Sequence, residues 1–146
     1  MNNDVLFETG LQEINFGKVK VMFNPADLNL ATRAANMLFE IQDICEKYQG
    51  EIDALDVGNR EDAIKAESIG RNADLEIREK INSLFDVDVC TPNIGGCSIT
   101  APAGGLPIWE NMILALLERF EAKVVEEQRK TNPRLEAYIK KYKKNR

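Results

Sequence analysis

The sequence predicts an α+β fold that is mostly α-helical: an N-terminal β-hairpin followed by amphipathic helices, with a glycine- and proline-rich loop before the last long helix. Three observations predict it. Apolar and polar residues alternate on either side of Gly17-Lys18, which is the period of a half-buried strand pair. Downstream of Pro25 the apolar residues recur three and four apart, the period of one helix face. Between Asp86 and Pro107 both patterns fail, in a stretch holding four of the nine glycines and three of the five prolines.

The hairpin is expected from Leu11 to Phe16 and from Val19 to Asn24. Val19, Val21 and Phe23 alternate with Lys18, Lys20 and Met22, and Ile14 and Phe16 alternate around Asn15, so one face is set to bury. Val5-Leu6-Phe7 adds either a third strand or an apolar arm. Asn24-Pro25 ends the second strand because proline has no amide hydrogen for the ladder.

Asp27 is the expected cap of the first helix, where a carboxylate meets the positive end of the dipole. Leu28, Ala31, Ala35, Leu38, Ile41, Cys45 and Tyr48 form its apolar stripe, with Gln49-Gly50 as the exit. Cys45 on that stripe reads as an ordinary packed thiol. Gly58-Asn59 marks a turn, and a second helical stretch runs from Arg60 to Phe85 as one helix softened at Gly70, or as two. Its apolar face is weak at Ala63, Ile64, Ala66 and Ile69 and stronger at Leu75, Ile77, Ile81, Leu84 and Phe85. Glu76 and Lys80 are spaced to pair on its surface.

The composition of the Asp86 to Pro107 stretch excludes a helix, and Val87-Asp88-Val89 and Ser98-Ile99-Thr100 are candidates for a small ribbon. The last long helix spans Trp109 to Lys130, with Trp109, Met112, Ile113, Leu116, Leu117, Phe120 and Val124 on one face. Asn132-Pro133 then interrupts the chain, and Leu135, Tyr138, Ile139 and Tyr142 mark a short amphipathic segment among lysines. The expected organisation is one globular domain over residues 1–130 and a basic extension over 131–146.

Charge divides the same way. From Arg129 to Arg146 there are 8 basic residues and 1 acidic one, a balance of +7 that leaves −12 for residues 1–128 of a chain whose net charge is −5. An acidic body argues against a duplex-binding surface, since phosphate contacts need a positive patch where the protein docks. The tail, with Lys140, Lys141, Lys143, Lys144 and Arg146 around Tyr138 and Tyr142, is better explained as a solvated terminus than as a single-strand binder. No apolar run approaches the span of a bilayer, and Met1-Asn2-Asn3-Asp4 lacks the basic start of a secretory signal, so a cytoplasmic protein with no membrane partner is expected.

Catalytic chemistry finds little to use. The chain has no histidine, which removes the usual base near neutral pH and the Ser-His and Cys-His nucleophile pairs. Cys90 and Cys97 are too far apart for a redox pair and too few for zinc, and read as thiols lying in a loop. Asp86 and Asp88 give no basis for paired-carboxylate hydrolysis. Gly95-Gly96 and Gly104-Gly105 match no phosphate loop or dinucleotide fingerprint and are assigned to loop flexibility. No catalytic, cofactor or metal site is expected.

The order of hairpin, acid-started helix, the segment EIREKINSLFD, glycine-containing loop and the helix WENMILALLERFEAKVVEEQRK resembles the small tail assembly chaperones of tailed phages and prophages. The likeness covers most of residues 6–130 and rests on apolar positions such as Ile77, Ile81, Leu84, Phe85, Leu116, Leu117 and Phe120. It implies a non-enzymatic protein that coats the tape-measure protein, keeps that long helical chain soluble and helps recruit the major tail protein, with weak self-association adding avidity. Trp109, Met112 and Leu116, with Ile94 and Ile99 of the loop, are the residues expected to touch the partner. Two other readings are a structural tail or connector subunit retained in the particle and a small phage-encoded regulator or inhibitor.

Overall fold

A computed structural model describes residues 3–56 and 58–128 of the chain. Two strands open it, β1 (Gln12–Phe16) and β2 (Val19–Phe23), paired antiparallel with Phe16 opposite Val19 and Gln12 opposite Phe23. Gly17 sits at the first central position of the two-residue turn with φ 62°, the left-handed conformation such turns demand and a glycine supplies. A Cβ there would also run into the Asn93 amide, so any larger residue meets both strain and a clash. Val21 and Phe23 are buried, while Lys20 and Met22 on the opposite face are exposed, as the alternation predicts. Val5, Leu6 and Phe7 join no strand and form an exposed arm.

Asp27 caps α1 (Leu28–Asp53), its carboxylate accepting from the amides of Asn29 and Leu30. The helix does not stop at Gln49-Gly50. A Cβ at Gly50 would meet nothing, so the glycine costs only its backbone freedom, about 1 kcal/mol, and half-buried Ile52 beyond it rewards continuation to Asp53. The buried stripe is Leu30, Ala31, Ala34, Met37 and Ile41, rotated slightly from the expected one, with Leu38 and Cys45 at its half-buried margin.

Asn59 caps α2 (Arg60–Asn82), which is one uninterrupted helix through Gly70. No residue of its first half is fully buried, and Ile64 is exposed; Ala73, Ile77 and Ile81 are its buried residues, and Leu75, expected on the apolar face, is exposed. Glu76 and Lys80 do not pair with each other. Packing of α1 on α2 gives each a partner across the helices: Glu76 accepts the Tyr48 hydroxyl, and the Lys80 Nζ lies 2.6 Å from Glu40. The Glu76 carboxylate holds the Tyr48 phenol above its ordinary range.

The glycine-rich stretch departs most from expectation. It contains a helix, α3 (Cys90–Ile94), which starts despite the poor composition because Asp88 Oδ1 accepts from the amides of Cys90 and Thr91, while Asn82 Oδ1 accepts from that of Val89. Its ribbon is also elsewhere, pairing β3 (Pro102–Ala103) with β4 (Leu106–Pro107) around Gly104 and Gly105 at φ 64° and 90°. Two positive φ values in a two-residue turn explain the Gly-Gly pair better than flexibility does. The segment is pinned at several points. Arg78 donates to the carbonyls of Gly95 (3.0 Å) and Cys97 (2.6 Å), and Asp74 accepts from the Ile99 amide (2.7 Å).

Asp88 makes α3 sensitive to acid. Its carboxyl is held below the ordinary aspartate range, chiefly by the Thr91 amide, because those hydrogen bonds favour the ionised form. The stabilisation is therefore complete above the unfolded value and lost as pH falls through the lower folded one. In urea unfolding, the advantage of wild type over Asp88→Asn is expected to shrink as pH drops below about 4; an advantage unchanged with pH would show that the charge contributes nothing.

Helix α4 (Ile108–Gln128) takes its first free amides to the loop, Ile108 to the Ala101 carbonyl and Trp109 to that of Ile99. Trp109, Ile113, Leu116, Phe120 and Val124 are buried. One core joins α1, the second half of α2, α4 and the hairpin. Phe23 binds the hairpin to the rest, its ring 5.2 Å from Phe85 and 5.5 Å from Phe120. The basic extension, with Leu135, Tyr138, Ile139 and Tyr142, lies outside the described residues.

Candidate functional site: a groove between the hairpin and the last helix

An open groove of about 500 Å³ lies between β1 and α4, with Asn93 and Ile94 of α3 also lining it. Its floor is apolar, made by Ile14 and Phe16 of β1, Phe23 of β2, Ile94 of α3, and Met112 and Leu116 of α4. Asn15, Asn93 and Asn111 stand among the lining residues, and Arg119 is the single charged one. In a body of −12 that is a local departure: the groove presents apolar surface, amides and one cation, with no carboxylate in its lining.

The groove exists because α4 carries two stripes rather than one. Trp109, Ile113, Leu116 and Phe120 face the core, while Met112, Ala115 and Arg119 lie about 100° round the helix and are left to line the groove. On β1 the period of two turns Ile14 and Phe16 toward the same space. Asn93 fixes α3 beside the hairpin wall: its Nδ2 donates to the carbonyls of Phe16 (3.0 Å) and Val89 (2.7 Å) and its Oδ1 accepts from the Lys18 amide (2.8 Å). The bonds to Phe16 and Lys18 tie α3 to the hairpin turn, and the one to Val89 closes on the start of α3 itself. Arg119 reaches Gln12 Oε1 at 3.5 Å, and Asn111 is fixed to the Ala103 carbonyl at 2.8 Å.

The residues expected to meet a partner separate into two groups. Met112 and Ile94 are half-buried and line the groove, and Leu116 contributes to its floor from a largely buried position. Trp109 and Ile99 are core residues at 5% and 0% exposure, so neither reaches a partner without opening the fold. Their burial follows from the pinned loop, which brings the Ile99 carbonyl onto the Trp109 amide and lays that segment over the start of α4. Asn15, Asn93, Asn111 and Arg119 were not among the expected contacts. The i, i+4 relation of Ala115 and Arg119 beside Met112 carries a trace of the second stripe, but Asn93 meets its hairpin partners only through tertiary structure.

Cys90 is fully buried at the start of α3 rather than lying in a loop, and burial pushes its thiol up to about 11. Such a thiol is almost wholly protonated near neutral pH and a poor nucleophile. Cys45 is half-buried and also raised, again mainly by burial, and Cys97 is exposed. Among the described residues no three His, Cys, Asp or Glu side chains come together as a metal site, and no helix is long and apolar enough to cross a membrane. No protein-family model matches the chain, and comparisons with curated proteins and with solved structures return no match.

Proposed function

We propose that this protein is a non-enzymatic binding protein that accepts an apolar segment of a partner in the groove between β1 and α4. The observation that carries the reading is the groove itself, with a mostly apolar lining, three asparagine amides among it and a volume of about 500 Å³ in the range of binding clefts. A groove of this size takes the anchor side chains of one or two turns of an amphipathic helix rather than a whole segment. The resemblance to tail assembly chaperones names the partner: the tape-measure protein, whose apolar helical stripes need cover until the major tail protein assembles around it. Many weak groove contacts along that long chain would supply avidity.

Co-expression with the tape-measure protein of the same genome, followed by affinity capture and sizing, tests the proposal. Soluble co-purification is expected, and Met112→Glu is expected to reduce capture by about tenfold or more, since it puts a carboxylate among apolar anchors. Met112 is half-buried at the groove, so the variant should keep the wild-type circular dichroism. Undiminished capture by folded Met112→Glu would remove the groove from the account.

The exposed Val5-Leu6-Phe7 arm favours a second reading, a tail or connector subunit that stays in the particle and uses the arm in assembly. Its presence at stoichiometric level in finished particles would select that reading.

A further inference from the structure

We infer that, when no client is bound, the groove receives the N-terminal arm of a second copy of this chain, so that the protein self-associates through an arm-in-groove contact. The inference rests on the groove being a binding site, as proposed above, and adds its occupant in the client-free state. Val5, Leu6 and Phe7 are consecutive and 83%, 83% and 77% exposed, a density of apolar surface that a soluble chain covers when it can.

The groove offers the arm a matching surface. In the hairpin register, Gln12, Ile14 and Phe16 face their partners on β2 as the hydrogen-bonded pairs, so the backbone groups of Glu13 and Asn15 point to the free edge of β1. No further strand pairs with that edge among the described residues. An extended arm that adds a strand there places alternate side chains, Val5 and Phe7, on one face, toward the apolar floor.

Charge selects this segment over the other unassigned one. Asp4 and Glu8 flank the apolar triplet, and the single charge lining the groove is Arg119. The extension over 129–146, at +7, meets Arg119 with like charge. Geometry selects a second copy over the same chain. Asn24, just past the end of β2, donates from Nδ2 to the Thr9 carbonyl at 3.0 Å, which holds the base of the arm at the end of β2 and not at the free edge of β1.

Sedimentation velocity of the full chain over a concentration series, without any client, reads the association. Wild type is expected to associate. Phe7→Asp, in the exposed arm, and Ala115→Glu, on the exposed groove face of α4, are each expected to weaken association by about tenfold or more while circular dichroism stays unchanged. Glu8→Lys and Arg119→Glu should each weaken it, and the two together should restore it. A wild type that stays monomeric throughout, a Phe7→Asp or Ala115→Glu variant that associates like wild type, or association abolished by removing residues 129–146 would each overturn the inference. Client capture is scored separately: folded Phe7→Asp should retain it. A wild type that captures the client but stays monomeric therefore counts against the arm alone, and a wild type that self-associates but captures no client counts against the client alone.

Discussion

Trp109→Ala is expected to destabilise the protein by about 3–5 kcal/mol, the range for truncating a buried aromatic. The residue is 5% exposed, belongs to the one core that joins α1, α2, α4 and the hairpin, and its amide is bonded to the Ile99 carbonyl. Against a typical total of about 5–15 kcal/mol, a loss of that size leaves a marginal fold. Urea unfolding followed by circular dichroism measures it, because the substitution removes the only tryptophan and with it the fluorescence signal. Any loss of partner binding in this variant would come from unfolding, in contrast to Met112→Glu, where binding falls and stability stays. A cost below about 0.5 kcal/mol, the level of an ordinary surface change, would mean that Trp109 is not packed as described.

Asp74→Ala is the second large effect, expected at about 2–4 kcal/mol, somewhat under the cost of breaking a fully buried pair because water reaches both groups. Asp74 binds Arg78 Nε at 2.8 Å and accepts the Ile99 amide at 2.7 Å, so its removal leaves a largely covered guanidinium without its anion and a backbone donor without its acceptor. Arg78 in turn holds the carbonyls of Gly95 and Cys97. The loss should be local before it is global. Amide exchange is expected to accelerate over residues 95–101 ahead of α1, whereas uniform acceleration would show that the pair supports the whole fold and not the loop.

How much of this was legible depended on how local each interaction is. The hairpin and the Asp27 cap follow from spacing within one element, and the sequence is sufficient for them. The failures share a cause, which is that the deciding partner is far away in sequence. Glu76 and Lys80 look paired until α1 supplies Tyr48 and Glu40. The stretch from Asp86 to Pro107 looks loose because its composition opposes regular structure, and nothing near it in sequence reveals that Asp74 and Arg78, one turn apart on α2, hold it against the core. The Gly104-Gly105 turn was open to recognition, since two glycines in a two-residue connection are a hairpin signal even when the strands are minimal.

The candidate site shows the same division more sharply. Met112, Leu116 and Ile94 are found from apolar spacing, but the face they belong to is not, because a single stripe on α4 merges core and groove residues. Trp109 and Met112 are both apolar and only three apart, yet one is buried in the core and the other half-buried beside the groove. That difference depends on where the hairpin and α3 come to rest.

Hydrogen exchange on the protein with and without the tape-measure protein tests the groove most directly. New protection is expected at residues 13–16 of β1 and 111–119 of α4, with the outer faces of α1 and α2 unchanged. Protection confined to α1 and α2, with β1 and α4 exchanging as in the free protein, would contradict it.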